Sequence, residues 1–184
     1  SIAFGATLDL TDIELGANST QEYKDYCSSI SGNSSSNNCN SDSFSLSAGY
    51  GRDTRNNAQF PTSGQVFRGS AQVGVPIFDM NYYILSAKAE KYWPLKSGMA
   101  LKLKGTVGIA DSYGDKKFPF FKNFFMGGTN TVRGYDQASV GKKTLNASTG
   151  VLETTGGKKS LLGSAELFFP PPGLKNVKSF RLST

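Results

Sequence analysis

The sequence predicts an all-β protein whose antiparallel strands form part of a transmembrane β-barrel. Six segments alternate between apolar and polar or small residues, and the connections between them alternate between short and long. A period of two places alternate side chains on opposite faces of a strand, and we expect no helix of normal length to compete with it. No apolar run approaches the roughly 18 residues of a membrane-spanning helix, whereas a membrane-spanning strand needs only about 10.

Each of the six segments has one apolar face. Taken at every second position, these faces run from Ile2 to Leu10, Phe44 to Tyr50, Phe67 to Val75, Tyr83 to Trp93, Met99 to Ile109 and Leu161 to Leu167. The opposite faces carry Arg68, Lys88, Glu90, Lys102, Lys104 and Glu166. In a soluble β-sandwich such a face meets water, whereas in a wide barrel it lines an aqueous lumen and opposite charges pair across strands.

The connections favour the barrel over the sandwich. Short connections rich in Pro, Gly and Ser span residues 60–64, 94–98 and 170–173, and long ones span about 12–42 and 111–159, with a shorter one at 76–80. Outer-membrane barrels have short turns at the periplasmic end and long loops at the extracellular end. A sandwich would not usually place long polar loops on every second connection.

Cys27 and Cys39 lie in the first long loop, within a stretch rich in Ser, Asn and Gly, and the chain contains no His. A zinc site would need further ligands of suitable type, so we predict no metal. We predict a disulfide and an oxidising compartment; two free thiols in a flexible loop are the alternative. A bridge that closes a loop of this size contributes roughly 3 kcal/mol in the chain-entropy model.

The second long loop, about 111–159 and here called the arginine loop, contains the most informative stretch, residues 118–140. Gly127, Gly128 and Gly134 permit backbone angles that other residues avoid, which suits a tightly folded loop. Arg133 stands between an apolar residue and a glycine, so its guanidinium could bind a buried carboxylate with two hydrogen bonds. We therefore predict that this loop is held inside the lumen; a solvated arginine beside a glycine turn is the alternative.

Several motifs resemble the barrel of the BamA-type outer-membrane protein assembly factors. They are Phe60-Pro61-Thr62-Ser63-Gly64, Tyr82-Tyr83, the run from Pro119 to Gly128, and Thr131-Val132-Arg133-Gly134-Tyr135. The resemblance covers nearly the whole chain and implies a barrel of sixteen strands, of which this chain would supply about six and the start of a seventh.

The resemblance also implies that the arginine loop tucks into the lumen and that Arg133 pairs with inner-wall acids. Glu166 matches one of these acids, the second would lie beyond Thr184, and Asp136 is a rival partner through a local contact. Both cysteines lie in the first long loop, whereas some family members have a pair in the arginine loop. That difference affects only how the extracellular loops pack.

The expected function follows from the resemblance: a barrel fragment that folds and inserts β-barrel proteins into the bacterial outer membrane. Its implied partners are outer-membrane lipid, nascent outer-membrane proteins and the lipoproteins of the assembly machinery. Cut strand edges would allow self-association. A chain that begins without a targeting signal and ends in a new alternating pattern from Lys178 fits an excised piece.

Other functions are less consistent with the sequence. Without His and without paired acids, no catalytic constellation is present, so we expect no enzyme and no cofactor. The net charge of +6 comes from lysines interleaved with strand residues, which does not indicate nucleic-acid binding. A two-partner secretion or related translocation pore, a passive porin and a soluble β adhesin are the alternatives.

Overall fold

The computed structural model describes residues 1–16, 18–31, 38–146, 149–169 and 182–183. The strands are β1 (Ile2–Asp9), β2 (Asp12–Glu14), β3 (Asn38–Asn40), β4 (Ser43–Asp53), β5 (Gly64–Val75), β6 (Tyr82–Pro94), β7 (Ala100–Ser112), β8 (Lys143–Leu145), β9 (Leu152–Thr154), β10 (Lys159–Phe169) and β11 (Leu182–Ser183). One α-helix, α1 (Gln21–Ser31), and two short 3-10 helices, Lys96–Gly98 and Phe120–Lys122, complete the described elements.

The long strands form one seven-stranded antiparallel sheet in the order β1-β4-β5-β6-β7-β10-β11. All six predicted strands are present, and β11 confirms the predicted start of a seventh by pairing with the end of β10. The predicted short turn at 170–173 and the start of the pattern at Lys178 lie outside the described residues. Two small ribbons, β2-β3 and β8-β9, lie within the two long loops.

The apolar face of the sheet is exposed, and we call it the outer face. Phe4 is 84% exposed and Leu161 is 82% exposed, and large apolar side chains along the strands between them are exposed as well. A sandwich would bury these side chains against a second sheet. Their exposure therefore contradicts the sandwich and fits strands that present their apolar face to lipid.

The opposite face, here called the inner face, is polar and carries paired charges. Lys88 and Glu90 lie 2.7 Å apart, and the Tyr92 hydroxyl donates to Glu90 at 2.9 Å. Lys102 stands directly opposite Glu166 in the register of β7 and β10, and their charged atoms are 3.4 Å apart. The predicted pairing of opposite charges across the inner wall is thus observed.

The connection between β4 and β5 spans residues 54–63, so it is longer than the predicted short connection at 60–64, but it is tightly built. The guanidinium of Arg55 binds the Asp53 carboxylate, with the closest atoms 2.6 Å apart. Gly64 has a φ of 103°, and a Cβ at this position would lie 2.3 Å from the Thr54 carbonyl oxygen. Glycine is therefore required where β5 begins.

The first long loop corrects one prediction, because it contains the 11-residue helix α1 where we expected no helix of normal length. Tyr23, Tyr26, Cys27 and Ile30 follow helical spacing, and Tyr26 and Cys27 are buried. This four-residue signal lies in a Ser-rich stretch that otherwise predicts a loop. Within the described residues no helix is long and apolar enough to cross a membrane.

Candidate functional site in the arginine loop

The arginine loop begins by packing on the inner face of the sheet. Phe118 is only 8% exposed and forms a buried cluster with Met80, Tyr82 and Ala110. Its ring meets the Tyr82 ring edge-on, with centroids 6.3 Å apart. Since Tyr82 and Ala110 stand on β6 and β7, this cluster joins the loop to the barrel wall.

Phe124 makes a second contact with the inner face. A Cβ at Gly108 of β7 would lie 2.6 Å from the Phe124 ring and 2.6 Å from the hydroxyl oxygen of Ser160. Real Cβ atoms do not approach so closely, so the missing side chain at Gly108 makes room for the Phe124 ring. The local sequence Thr106-Val107-Gly108 shows only a glycine within a strand. The contact with Phe124 in the loop explains why a residue without a side chain stands there.

An ion pair holds the loop between these aromatic contacts. The Nζ atom of Lys122 donates to the Asp9 carboxylate of β1 at 3.1 Å and lies 5.1 Å from the centroid of the Tyr82 ring. Burial alone would lower the pKa of Lys122, but the hydrogen bond to Asp9 and the neighbouring Tyr82 together raise it. The lysine is therefore held in its charged form.

The two limbs of the arginine loop are paired through their backbones. Phe124 and Gly157 exchange two hydrogen bonds, of 2.8 and 3.0 Å, and the Val140 amide donates to the Met126 carbonyl at 2.9 Å. The Ala110 amide of β7 donates to the Lys158 carbonyl at 2.7 Å. These bonds continue the sheet into the loop and pair its two limbs. The contacts of Phe118 and Phe124 place the first limb on the inner face.

The glycines that the sequence singled out close the tip of the loop. Gly127 and Gly128 have φ angles of 117° and 92°, and a Cβ at Gly127 would lie 2.2 Å from the Asp136 carbonyl oxygen. Thr131 bridges the turn, because its hydroxyl both accepts from the Gly127 amide and donates to the Gly127 carbonyl. Gly134 has a φ of 86°, which turns the chain directly after Arg133.

The structure does not bring the predicted ion pair together. Arg133 is exposed, as are Tyr135 and Asp136, whereas Val132 is half-buried. Within the described residues no hydrogen bond or ion pair reaches the Arg133 guanidinium. Glu166 instead binds Lys102, its direct neighbour across the strands. The pairing of Arg133 with Glu166 or Asp136 stays a prediction.

Helix α1 of the first long loop packs against the arginine loop. The ring of Tyr23 stacks on Phe120 with centroids 4.1 Å apart, and Tyr26 meets Phe120 edge-on at 5.5 Å. Lys142 binds the Glu22 carboxylate at 3.0 Å. Together, helix α1 and the arginine loop line a cavity of 760 Å³.

The predicted disulfide is present and fixes helix α1 to β3. Cys27 and Cys39 are both buried, and their sulfur atoms are bonded. Beside them the Tyr26 hydroxyl shares a 2.8 Å hydrogen bond with Ser41. Burial raises the pKa of Tyr26 to about 12 although the bond with Ser41 acts in the opposite direction. The Cys27–Cys39 disulfide is therefore part of the packed base of the first loop.

Reasoning from the sequence missed helix α1 and the Lys122–Asp9 pair. It predicted charge pairing on the inner face but did not identify Lys102 as the partner of Glu166. The spacing of the apolar residues in α1 could have revealed the helix. Lys122 and Asp9 are 113 positions apart, and no local pattern connects them.

A sheet with an apolar outer face, a charged inner face and a long loop folded onto that inner face defines a segment of an outer-membrane β-barrel. The chain matches the Omp85 superfamily domain over residues 1–184, and it belongs to that superfamily. The predicted fold, family and outer-membrane location are confirmed.

Comparisons with individual proteins show which members of the superfamily the chain resembles. The chain is 38% identical over 136 residues to the outer membrane protein assembly factor BamA of Neisseria meningitidis, covering 73% of this chain and 17% of the relative. It is 28% identical over 143 residues to a SAM50-like protein of Schizosaccharomyces pombe, covering 75% of this chain and 29% of the relative. The crystal structure of BamA from Haemophilus ducreyi lacking POTRA domains 1–3 has a TM-score of 0.83 and 26% identity, covering 99% of this chain and 36% of that structure. The chain thus spans well under half the length of each.

Proposed function

We propose that this chain is a barrel segment of a BamA-type factor that folds and inserts β-barrel proteins into the bacterial outer membrane. The observation that carries the proposal is the arginine loop with Val132-Arg133-Gly134-Tyr135, folded onto the inner face of a sheet similar to the BamA barrel. Its partners are nascent outer-membrane proteins, assembly lipoproteins and the lipid bilayer. The proposed mechanism of assembly is noncovalent: unpaired strand edges template incoming strands through backbone hydrogen bonds.

The role of the segment is to position the arginine loop. Phe118, Phe124 and Lys122 attach one limb to the wall, and the backbone pairs attach the other. The tip with Arg133 then projects from a fixed base. In the full-length protein we expect Arg133 to pair with an inner-wall acid, because its guanidinium matches a carboxylate in geometry and charge.

The test replaces Arg133 in the full-length protein and asks whether cells that depend on it still assemble barrels. Arg133→Ala should lower the amount of folded outer-membrane proteins while the variant itself stays folded, as judged by heat-modifiable gel mobility. Arg133→Lys should restore little of the folded outer-membrane protein, since one ammonium group cannot make the two parallel hydrogen bonds of a guanidinium. Lys143→Ala, an exposed lysine in the same loop, serves as the control and should behave as the parent protein.

A passive pore gives a different result. If Arg133→Ala left the level of folded outer-membrane proteins unchanged but raised ion conductance in planar bilayers, the loop would act as a plug. The assembly function would then be wrong, and the porin or secretion-pore alternative would take its place.

A further inference from the structure

A groove of 590 Å³ lies on the outer face, near the end of the sheet that carries the short turns. Ala89 of β6 and Gly105 of β7 are direct partners and form its floor. The larger side chains of Tyr50, Phe67 and Leu103 border it. A Cβ at Gly105 would meet nothing within 4 Å, so the floor is open toward the surroundings.

Three cations, Arg52, Lys91 and Lys104, border the same groove, and the first two lie on the outer face. Arg52 of β4 and Lys91 of β6 are both exposed and point to the outer face, together with the amide side chain of Gln65. Within the described residues no hydrogen bond or ion pair reaches Arg52. Lys91 lies 4.9 Å from the centroid of the Trp93 ring. Glu90 also borders the groove, but its carboxylate binds Lys88 on the inner face.

From the usual orientation of an outer-membrane barrel we expect the groove to lie at the level of lipid head groups. Arg52 is the next-to-last residue of β4, and Lys91 precedes the end of β6 by three residues, or about 10 Å of strand. Since short turns occupy the periplasmic end of an outer-membrane barrel, this depth corresponds to the periplasmic leaflet. Trp93 fits the aromatic belt of that interface, and long cationic side chains there reach toward the head groups.

We propose that this groove binds the phosphate group of an anionic phospholipid in the periplasmic leaflet. Arg52 and Lys91 stand two strands apart and two residues out of register, which is about 12 Å at the usual strand spacing and rise, so their long side chains can flank one phosphate. An acyl chain would then lie over Ala89 and Gly105, between Phe67 and Leu103. The Gln65 amide is placed to donate to the glycerol part of the head group. This inference depends on the barrel fold and its orientation, not on the assembly function.

The test measures lipid binding to the full-length protein in detergent by native mass spectrometry. Phosphatidylglycerol and phosphatidylcholine with the same acyl chains are titrated separately. The parent protein should retain phosphatidylglycerol at least tenfold more strongly, and Arg52→Gln or Lys91→Gln should each reduce that preference about fivefold. The double variant should show no preference. Lys159→Gln removes an exposed cation at the other end of the outer face and should change nothing.

Three results would overturn the proposal. The first is equal retention of both lipids by the parent protein, which indicates a nonselective lipid belt. The second is an unchanged preference in a double variant that is folded, as judged by heat-modifiable mobility. The third is displacement of phosphatidylglycerol by water-soluble glycerol phosphate at equal concentration, which indicates a phosphate site without lipid selectivity.

Discussion

Lys122 provides the sharpest test of how the arginine loop is held. Lys122→Met keeps the length of the side chain but removes its charge, leaving the Asp9 carboxylate without a partner. The pair is partly buried, with 18% of the Lys122 side chain and 35% of the Asp9 side chain exposed. Exposed pairs contribute about 0.2–1 kcal/mol, and breaking a buried pair costs about 3–5 kcal/mol. The contact with the Tyr82 ring contributes about 0.5–1 kcal/mol more.

For a partly buried pair we therefore expect Lys122→Met to lower the free energy of loop opening by roughly 2 kcal/mol. This corresponds to about a 30-fold increase in the equilibrium constant for opening. Hydrogen exchange in the full-length protein measures this opening at the Phe124 and Gly157 amides, because we expect the bonds that pair the two limbs of the loop to break when the limb that carries Lys122 leaves the wall. Lys116→Met, on an exposed lysine of the same loop, is the matched control.

Asp9→Asn should accelerate exchange by a similar factor, and the double variant should fall well short of the sum of the two effects. If exchange at Phe124 and Gly157 in Lys122→Met stayed within about threefold of the control, the ion pair would not hold the loop and the reasoning would be refuted.

The remaining predictions concern the glycine contact and the first loop. Gly108→Val should lower the unfolding temperature and expose the loop to protease, since overpacking costs about 1–3 kcal/mol and the Cβ would strike Phe124. Gly163→Val, where a Cβ meets nothing within 4 Å, should leave both measurements unchanged; equal effects would contradict the contact. The pKa of Tyr26, about 12 in the folded protein, lies above the unfolded value of 10.0, so its stabilising contribution is complete below pH 10 and is lost as pH rises toward 12. Ultraviolet titration of Tyr26→Phe against the parent should remove one phenol that ionises near pH 12, and a parent protein whose phenols all ionise near pH 10 would disprove the burial effect.

The sequence was most informative about the strands. Residues such as Phe44, Leu46 and Ala48 alternate with serines because one face meets lipid and the other the lumen, and this pattern depends only on neighbours in sequence. The turn glycines were also predictable, since Gly127, Gly128 and Gly134 need backbone angles that few residues adopt.

Contacts between distant segments could not be predicted in the same way. The partner of Lys122 depends on how β1 and the arginine loop meet, and the partner of Glu166 depends on the register between β7 and β10. Sequence alternation gives the face of a residue but not the identity of the residue opposite to it. Helix α1 was missed for another reason, because its short apolar pattern is weaker than the loop signal of the serines around it.

The most direct test of the seated loop is a distance measured in the full-length protein within outer membranes. Asp9→Cys and Lys122→Cys replace two side chains whose charged ends now lie 3.1 Å apart, so the two thiols come within the reach of a short cross-linker. A short bis-maleimide should join them rapidly, giving a cross-linked peptide detectable by mass spectrometry, whereas Asp9→Cys with Lys143→Cys should not cross-link. Efficient cross-linking of the first pair alone is the result we predict. Absence of that product in a folded variant would mean that the arginine loop does not lie on the inner face.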